Sequence, residues 1–170
     1  MRVDVLIKNA RIVDGTCTPW FRGDVAVHGQ KIAAIGPPGT LAKSFSSDKI
    51  IDAQDRYLMP GFIDMHTHSD FISLGEPEAK NKLFQGVTSQ GIGHCGYSAA
   101  PIREENLEAL NQYGGFFMAG ITPDWTWRSF GQWLDHLGQL NLGTNLASFV
   151  GHGTVRIAVM GFDNRQPTGA

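Results

Sequence analysis

A chain of 170 residues with 42% hydrophobic and 18% charged side chains has the make-up of a globular protein able to bury a core. A net charge of −2 with no basic run argues against nucleic acid as a partner, and no apolar stretch reaches the roughly 18 residues of a membrane span. The start, Met1-Arg2-Val3-Asp4-Val5, puts charge where a signal peptide needs an apolar region, so the default location is the cytoplasm.

The chain begins with strand signals. Val3, Val5 and Ile7 alternate with their neighbours, Asp14-Gly15 marks a turn, and Val25 and Val27 alternate again. Gly29-Gln30 separates that stretch from Ile32–Ile35, a hairpin pattern, and Gly36-Pro37-Pro38-Gly39 breaks the chain before a short strand at Ile50–Ala53. Four short strands without a helix predict a small β-sandwich segment. No chemistry is assigned in it to Cys17, in a turn-like loop, or to His28, read as a surface histidine.

From Pro60-Gly61 the pattern changes. Phe62–Met65 is a short apolar strand that runs on into His66-Thr67-His68-Ser69-Asp70. A helix is predicted from Glu76-Pro77-Glu78 through Leu83 and Phe84 to Gly86, with proline and acids favoured in its first turn. A second strand runs from Val87 toward Cys95. Residues 103–113 read as a helix with Leu107 and Leu110 on one face, ended by Gly114-Gly115. The aromatic stretch 116–127 reads either as packing or as a lining for an acyl chain. Ser129-Phe130-Gly131-Gln132 has the form of a capping box, and Phe130, Trp133, Leu134 and Leu137 give an amphipathic helix, with His136 exposed. Leu146–Val150 is a third apolar strand, followed by Gly151-His152-Gly153.

His66 and His68 stand one residue apart, so along a strand they project to the same side. Two neutral imidazoles on one side make half a metal site. Asp64 falls on the same face and is placed to orient a ligand. Cys95 closes the second strand; His94, next to it, faces the other way if that strand is regular. His152 closes the third strand, where a contact to substrate or to a ligand is open to it. Cys17 and Cys95 are read as separate thiols rather than a disulfide.

Pro60-Gly61-Phe62-Ile63-Asp64-Met65-His66-Thr67-His68 resembles the first-strand signature of the amidohydrolase superfamily. Gln85-Gly86-Val87-Thr88 with Gly93-His94-Cys95-Gly96-Tyr97-Ser98-Ala99-Ala100-Pro101, and Gly151-His152-Gly153-Thr154-Val155-Arg156, are similar to its N-acyl-D-amino-acid deacylase branch. That resemblance implies an α/β chain holding the N-terminal part of a (β/α)8 barrel. Residues 1–56 would be the β-sandwich segment, shared with a C-terminus beyond residue 170, and residues 57–170 the first part of the barrel. A whole barrel takes roughly 250 residues, so the part after Leu58 has room for about three βα units. The resemblance makes His66, His68 and Cys95 ligands of one or two Zn2+ ions, where many superfamily members use a carboxylated lysine instead of cysteine. It implies hydrolysis of the amide bond of a small N-acyl-D-amino acid, aided by a proton-moving carboxylate. The family takes that carboxylate and two further histidines from later strands, so no catalytic acid or base is expected within 1–170. A cyclic-amide hydrolase of the dihydroorotase or hydantoinase kind, and a non-catalytic metal-binding piece, are the alternatives.

Overall fold

In the computed structural model, which describes residues 1–169, the alternating stretch near the N-terminus forms β1 (Val5–Ile12). It pairs antiparallel with β2 (Phe21–His28), which turns through Gly29-Gln30 into antiparallel β3 (Lys31–Gly36). The other edge of β1 takes two parallel partners, β4 (Lys49–Asp52) and, further along, β5 (Tyr57–Leu58). β1 and β2 carry hydrophobic alternation, while β3 and β4 are short apolar runs set off by turn residues. The two residues of β5 are too few to show a period, and only the ladder to β1 defines them.

Leu6 pairs with Ala26 and Ile7 with Val25, so successive residues serve opposite faces of this sheet. One face gathers Val3, Leu6, Ala26 and Leu41; the other gathers Ala10, Ile12 and Val25. The register shifts between Ile7 and Ala10, where Asn9 sits at φ 57°. The wholly buried Asp24 carboxylate secures that bulge, accepting from the Asn9 amide at 3.0 Å and the Gly39 amide at 2.7 Å.

A second compact unit begins at Gly61. Its sheet is parallel, in the order β6 (Phe62–Asp64), β7 (Val87–Ile92), β8 (Asn145–Ser148). Parallel neighbours need crossover connections. In sequence, α1 (Ile72–Gly75) and α2 (Lys80–Leu83) fill the first, α3 (Leu107–Met118) and α4 (Phe130–Gly138) fill the second, and α5 (His152–Met160) comes after β8. No helix among the described residues is long and apolar enough to cross a membrane.

Several elements differ from their sequence patterns for local reasons. β6 stops at Asp64, so His66 and His68 lie just beyond the strand, and Phe62 and Ile63 stay exposed on a strand that has one partner among the described residues. The helix expected over 76–84 is only the single turn α2, entered through Ala79 at φ 45°. Gly114 and Gly115 do not end α3. Gly114 is needed within it, because a Cβ there would run into the Tyr97 ring. The capping box of α4 forms as read: Ser129 Oγ accepts from the Gln132 amide at 3.2 Å and Gln132 Oε1 accepts from the Ser129 amide at 3.0 Å. On α4, Trp133 and Leu137 are buried and Leu134 is exposed. His136 is half-buried rather than free in solvent, its ring 4.8 Å from that of Trp127.

The core of this unit is aromatic. Phe71, Tyr97, Trp125, Trp127 and Trp133 pack with Ile92, Leu110, Met118 and Ile157, and Trp127 Nε1 donates to the Ala99 carbonyl at 2.8 Å. Most of the aromatic stretch 116–127 is therefore packing.

Trp133 is wholly buried, and Trp133→Ala should cost about 3–5 kcal/mol in denaturant unfolding, whereas Leu134→Ala on the same helix should stay within about 0.5 kcal/mol. In the first unit, a hydrogen bond from Arg11 holds the Asp55 carboxyl below the usual carboxylate range, and one from Asn9 does the same for Asp52. A depressed carboxyl adds stability that is present above its unfolded pKa and lost as pH falls through the folded value. Unfolding should therefore become easier below about pH 4, and Asp55→Asn should flatten that acid limb.

Candidate metal centre

The segment after β6 is pinned to β7 by one residue. Thr67 donates both its amide and its hydroxyl to the Gly91 carbonyl, at 2.9 and 3.0 Å. His66 and His68 flank this tie, their rings 5.6 Å apart. On the neighbouring strand the alternation ends at Ile92. Gly93 turns the chain at φ 80°, and a Cβ at that position would collide with the Phe149 carbonyl. Cys95 itself adopts φ 56° and Gly96 φ 80°. A left-handed cysteine is strained, and such residues persist where the surroundings over-determine them. Here the surroundings are specific: the Tyr97 amide donates to the His94 carbonyl at 2.9 Å and the Thr154 amide to the Gly96 carbonyl at 3.1 Å.

This path brings three soft or borderline donors together. His66 Nε2 lies 3.2 Å from Cys95 Sγ, and one donor atom from each of His66, His68 and Cys95 falls within 4.8 Å of the others. Tetrahedral zinc with nitrogen and sulfur ligands sets donor separations of roughly 3.3–3.7 Å, so the set is close to a binding arrangement. His68 Nδ1 is buried without a hydrogen-bond partner among the described residues. Burial, then the neighbouring His66 and His94, lowers the His68 pKa, which favours the neutral imidazole that binds metal. Two imidazoles and a thiolate suit zinc better than magnesium or calcium.

The other residues singled out by sequence lie differently. Asp64 accepts from the His66 backbone amide at 3.3 Å and pairs with Lys82 at 2.8 Å, which holds its carboxyl below the usual range. It thus steadies the chain at His66 rather than the imidazole. His152 is exposed at the start of α5, apart from the three-donor group. His94 does not face away. Gly93 breaks the strand before it, and its ring stacks on that of His66 at 4.3 Å. The Phe117 ring lies 4.3 Å from that of His68. No sequence signal pointed to either contact. Asp70 is wholly buried, and burial pushes its pKa up to about 6; the spacing 66, 68, 70 was the clue that could have found it.

Gly93→Ala should be destabilising by at least about 1–2 kcal/mol, the cost of a left-handed L-residue, because the Phe149 carbonyl must also move. Gly115→Ala, with open space around its Cβ in α3, should instead raise stability by up to about 1 kcal/mol, both read by thermal unfolding.

A model of the amidohydrolase family matches residues 49–168. Among individual proteins, the chain is 35% identical to an N-acyl-D-aspartate deacylase of Alcaligenes xylosoxydans xylosoxydans over 99% of its own length and 32% of that protein. It is 35% identical to a D-aminoacylase of the same organism over 92% of this chain and 31% of the relative. Among solved structures, it is similar to the N-acyl-D-glutamate deacylase of Bordetella bronchiseptica, crystallised with zinc and a phosphonate mimic of the tetrahedral intermediate. There the TM-score is 0.81 at 32% identity, covering 99% of this chain and 34% of that one. The chain thus spans about a third of the length of the curated relatives it matches. With the family match covering most of its residues and its similarity lying with these deacylases, the chain belongs to the amidohydrolase family, in the D-aminoacylase branch.

Proposed function

We propose that this chain supplies the first part of a zinc-dependent hydrolase that cleaves the amide bond of N-acyl-D-amino acids into a carboxylate and a D-amino acid. The observation that carries this reading is the group formed by His66, His68 and Cys95, whose donor atoms lie within 4.8 Å of one another just beyond two parallel strands. Its position supports the barrel reading, since barrel enzymes place their chemistry at the carboxyl ends of their strands. Residues 1–56 would then form the flanking β segment and residues 57–170 the opening βα units. The substrates named for the relatives, N-acyl-D-aspartate and N-acyl-D-glutamate among them, support the substrate class.

His66, His68 and Cys95 would hold the metal. When bound, zinc supplies Lewis-acid polarisation of the amide carbonyl and a hydroxide nucleophile near neutral pH. The chain's own contribution is positioning. The Thr67 tie and the Asp64 contact to the His66 amide fix the histidine segment, and burial lowers the His68 pKa, favouring its neutral form. The Gly93–Gly96 turn presents the thiol to His66. The remaining ligands and the proton-moving carboxylate are assigned to the rest of the protein, since the relatives are about three times as long as the matched part.

In the full-length protein, Cys95→Ala should lower bound zinc and release of amine from an N-acetyl-D-amino acid together, with the far-ultraviolet circular dichroism unchanged. Full zinc content and normal turnover in that variant would remove Cys95 from the site. Residues 1–170 expressed alone should bind zinc weakly and release no amine, because a positioned acid or base typically accounts for about 10²–10⁴-fold in rate. Turnover by that piece would show that it holds the whole machinery.

A further inference from the structure

We propose that Asp70 is a positioning residue that ties the turn carrying Cys95 to the segment carrying His66 and His68. Asp70 lies two residues after His68, and its Oδ2 accepts from the amide of Gly93, two residues before Cys95, at 3.4 Å. The side chain is wholly buried, and its other oxygen has no hydrogen-bond partner among the described residues. A buried carboxyl is costly to keep unless it is used. Beyond its own backbone, the carboxylate reaches the amide at the point where the chain leaves β7.

That amide is where direction is set. Gly93 at φ 80° begins a turn that passes His94 and leaves Cys95 left-handed at φ 56°. The Thr67 contacts to Gly91 hold the two segments together on one side of His68, and the Asp70 contact to Gly93 holds them on the other. Without the second tie, Gly93 keeps only its packing against the Phe149 carbonyl, and the strained Cys95 has one support fewer to keep its sulfur 3.2 Å from His66 Nε2. The inference rests on His66, His68 and Cys95 holding the metal, and its test separates the two ideas.

The full-length protein is loaded with cobalt(II) in place of zinc, and the near-ultraviolet thiolate-to-cobalt absorption and the cobalt affinity against a chelator are read. Wild type should show the band and Cys95→Ala should lose it; a band absent from wild type, or unchanged in Cys95→Ala, would overturn the metal reading and this proposal with it. Given that band, Asp70→Ala should weaken it and lower cobalt affinity about 10–100-fold. Asp70→Asn, whose amide oxygen still accepts from Gly93, should keep both. A folded Asp70→Ala variant with the wild-type band and affinity, or Asp70→Asn falling as far as Asp70→Ala, overturns the proposal. Should Asp70→Ala fail to fold, hydrogen exchange of the Gly93 amide in wild type decides. Slow exchange, matching the amides of β7, is expected, and exchange as fast as an exposed loop overturns it.

Discussion

Parallel pairing of β6 with β7 is the constraint on which the site depends. In a parallel pair both strands end at the same edge of the sheet, so the segments leaving them are delivered to one place. The chain leaves β6 as a polar segment with two histidines, and it leaves β7 as a glycine-framed turn with a cysteine. An antiparallel pairing of the same strands would send the two segments to opposite edges. The crossover through α1 and α2 is therefore as much a part of the site as the donors themselves.

The turn after β7 survives because its neighbours leave no alternative. At Gly93 the Phe149 carbonyl occupies the space of a side chain, and at Gly114 the Tyr97 ring does the same. Ser98 accepts from the Gly151 amide through its Oγ at 2.9 Å, while Thr154 exchanges hydrogen bonds with the Ser98 backbone at 2.9 Å in both directions. These buried polar contacts lock the start of α5 against the chain leaving the turn. The tryptophan-rich core beneath them supplies the apolar area, and the polar contacts supply direction.

The surroundings of the donors are mixed in a way that suits a ligand set. His66 and Cys95 are open to solvent, while His68 is half-buried between His66 and the Phe117 ring. Stacking of His94 on His66 restricts that ring further. One donor set thus combines an accessible side with a side held by packing, which leaves room for approach without leaving the rings free to turn.

Strands β1 to β4 of the first unit, the capped helix α4 and the family motifs were legible in the sequence, as were His66 and His68 by their spacing and Cys95 by resemblance, the three residues that the fold brings together. These are local matters. Alternation, a Ser-x-x-Gln cap and a His-x-His spacing act within a few residues and show in any window that contains them. It took the folded chain to lay His94 on His66, to cover His68 with Phe117, to carry α3 through Gly114, and to bring the buried carboxyl of Asp70 to Gly93. Each of these joins segments well apart in the chain or turns on a positive φ that breaks a strand's alternation. No periodicity in the sequence records a contact between strands, because the register that makes it is set by packing across the sheet.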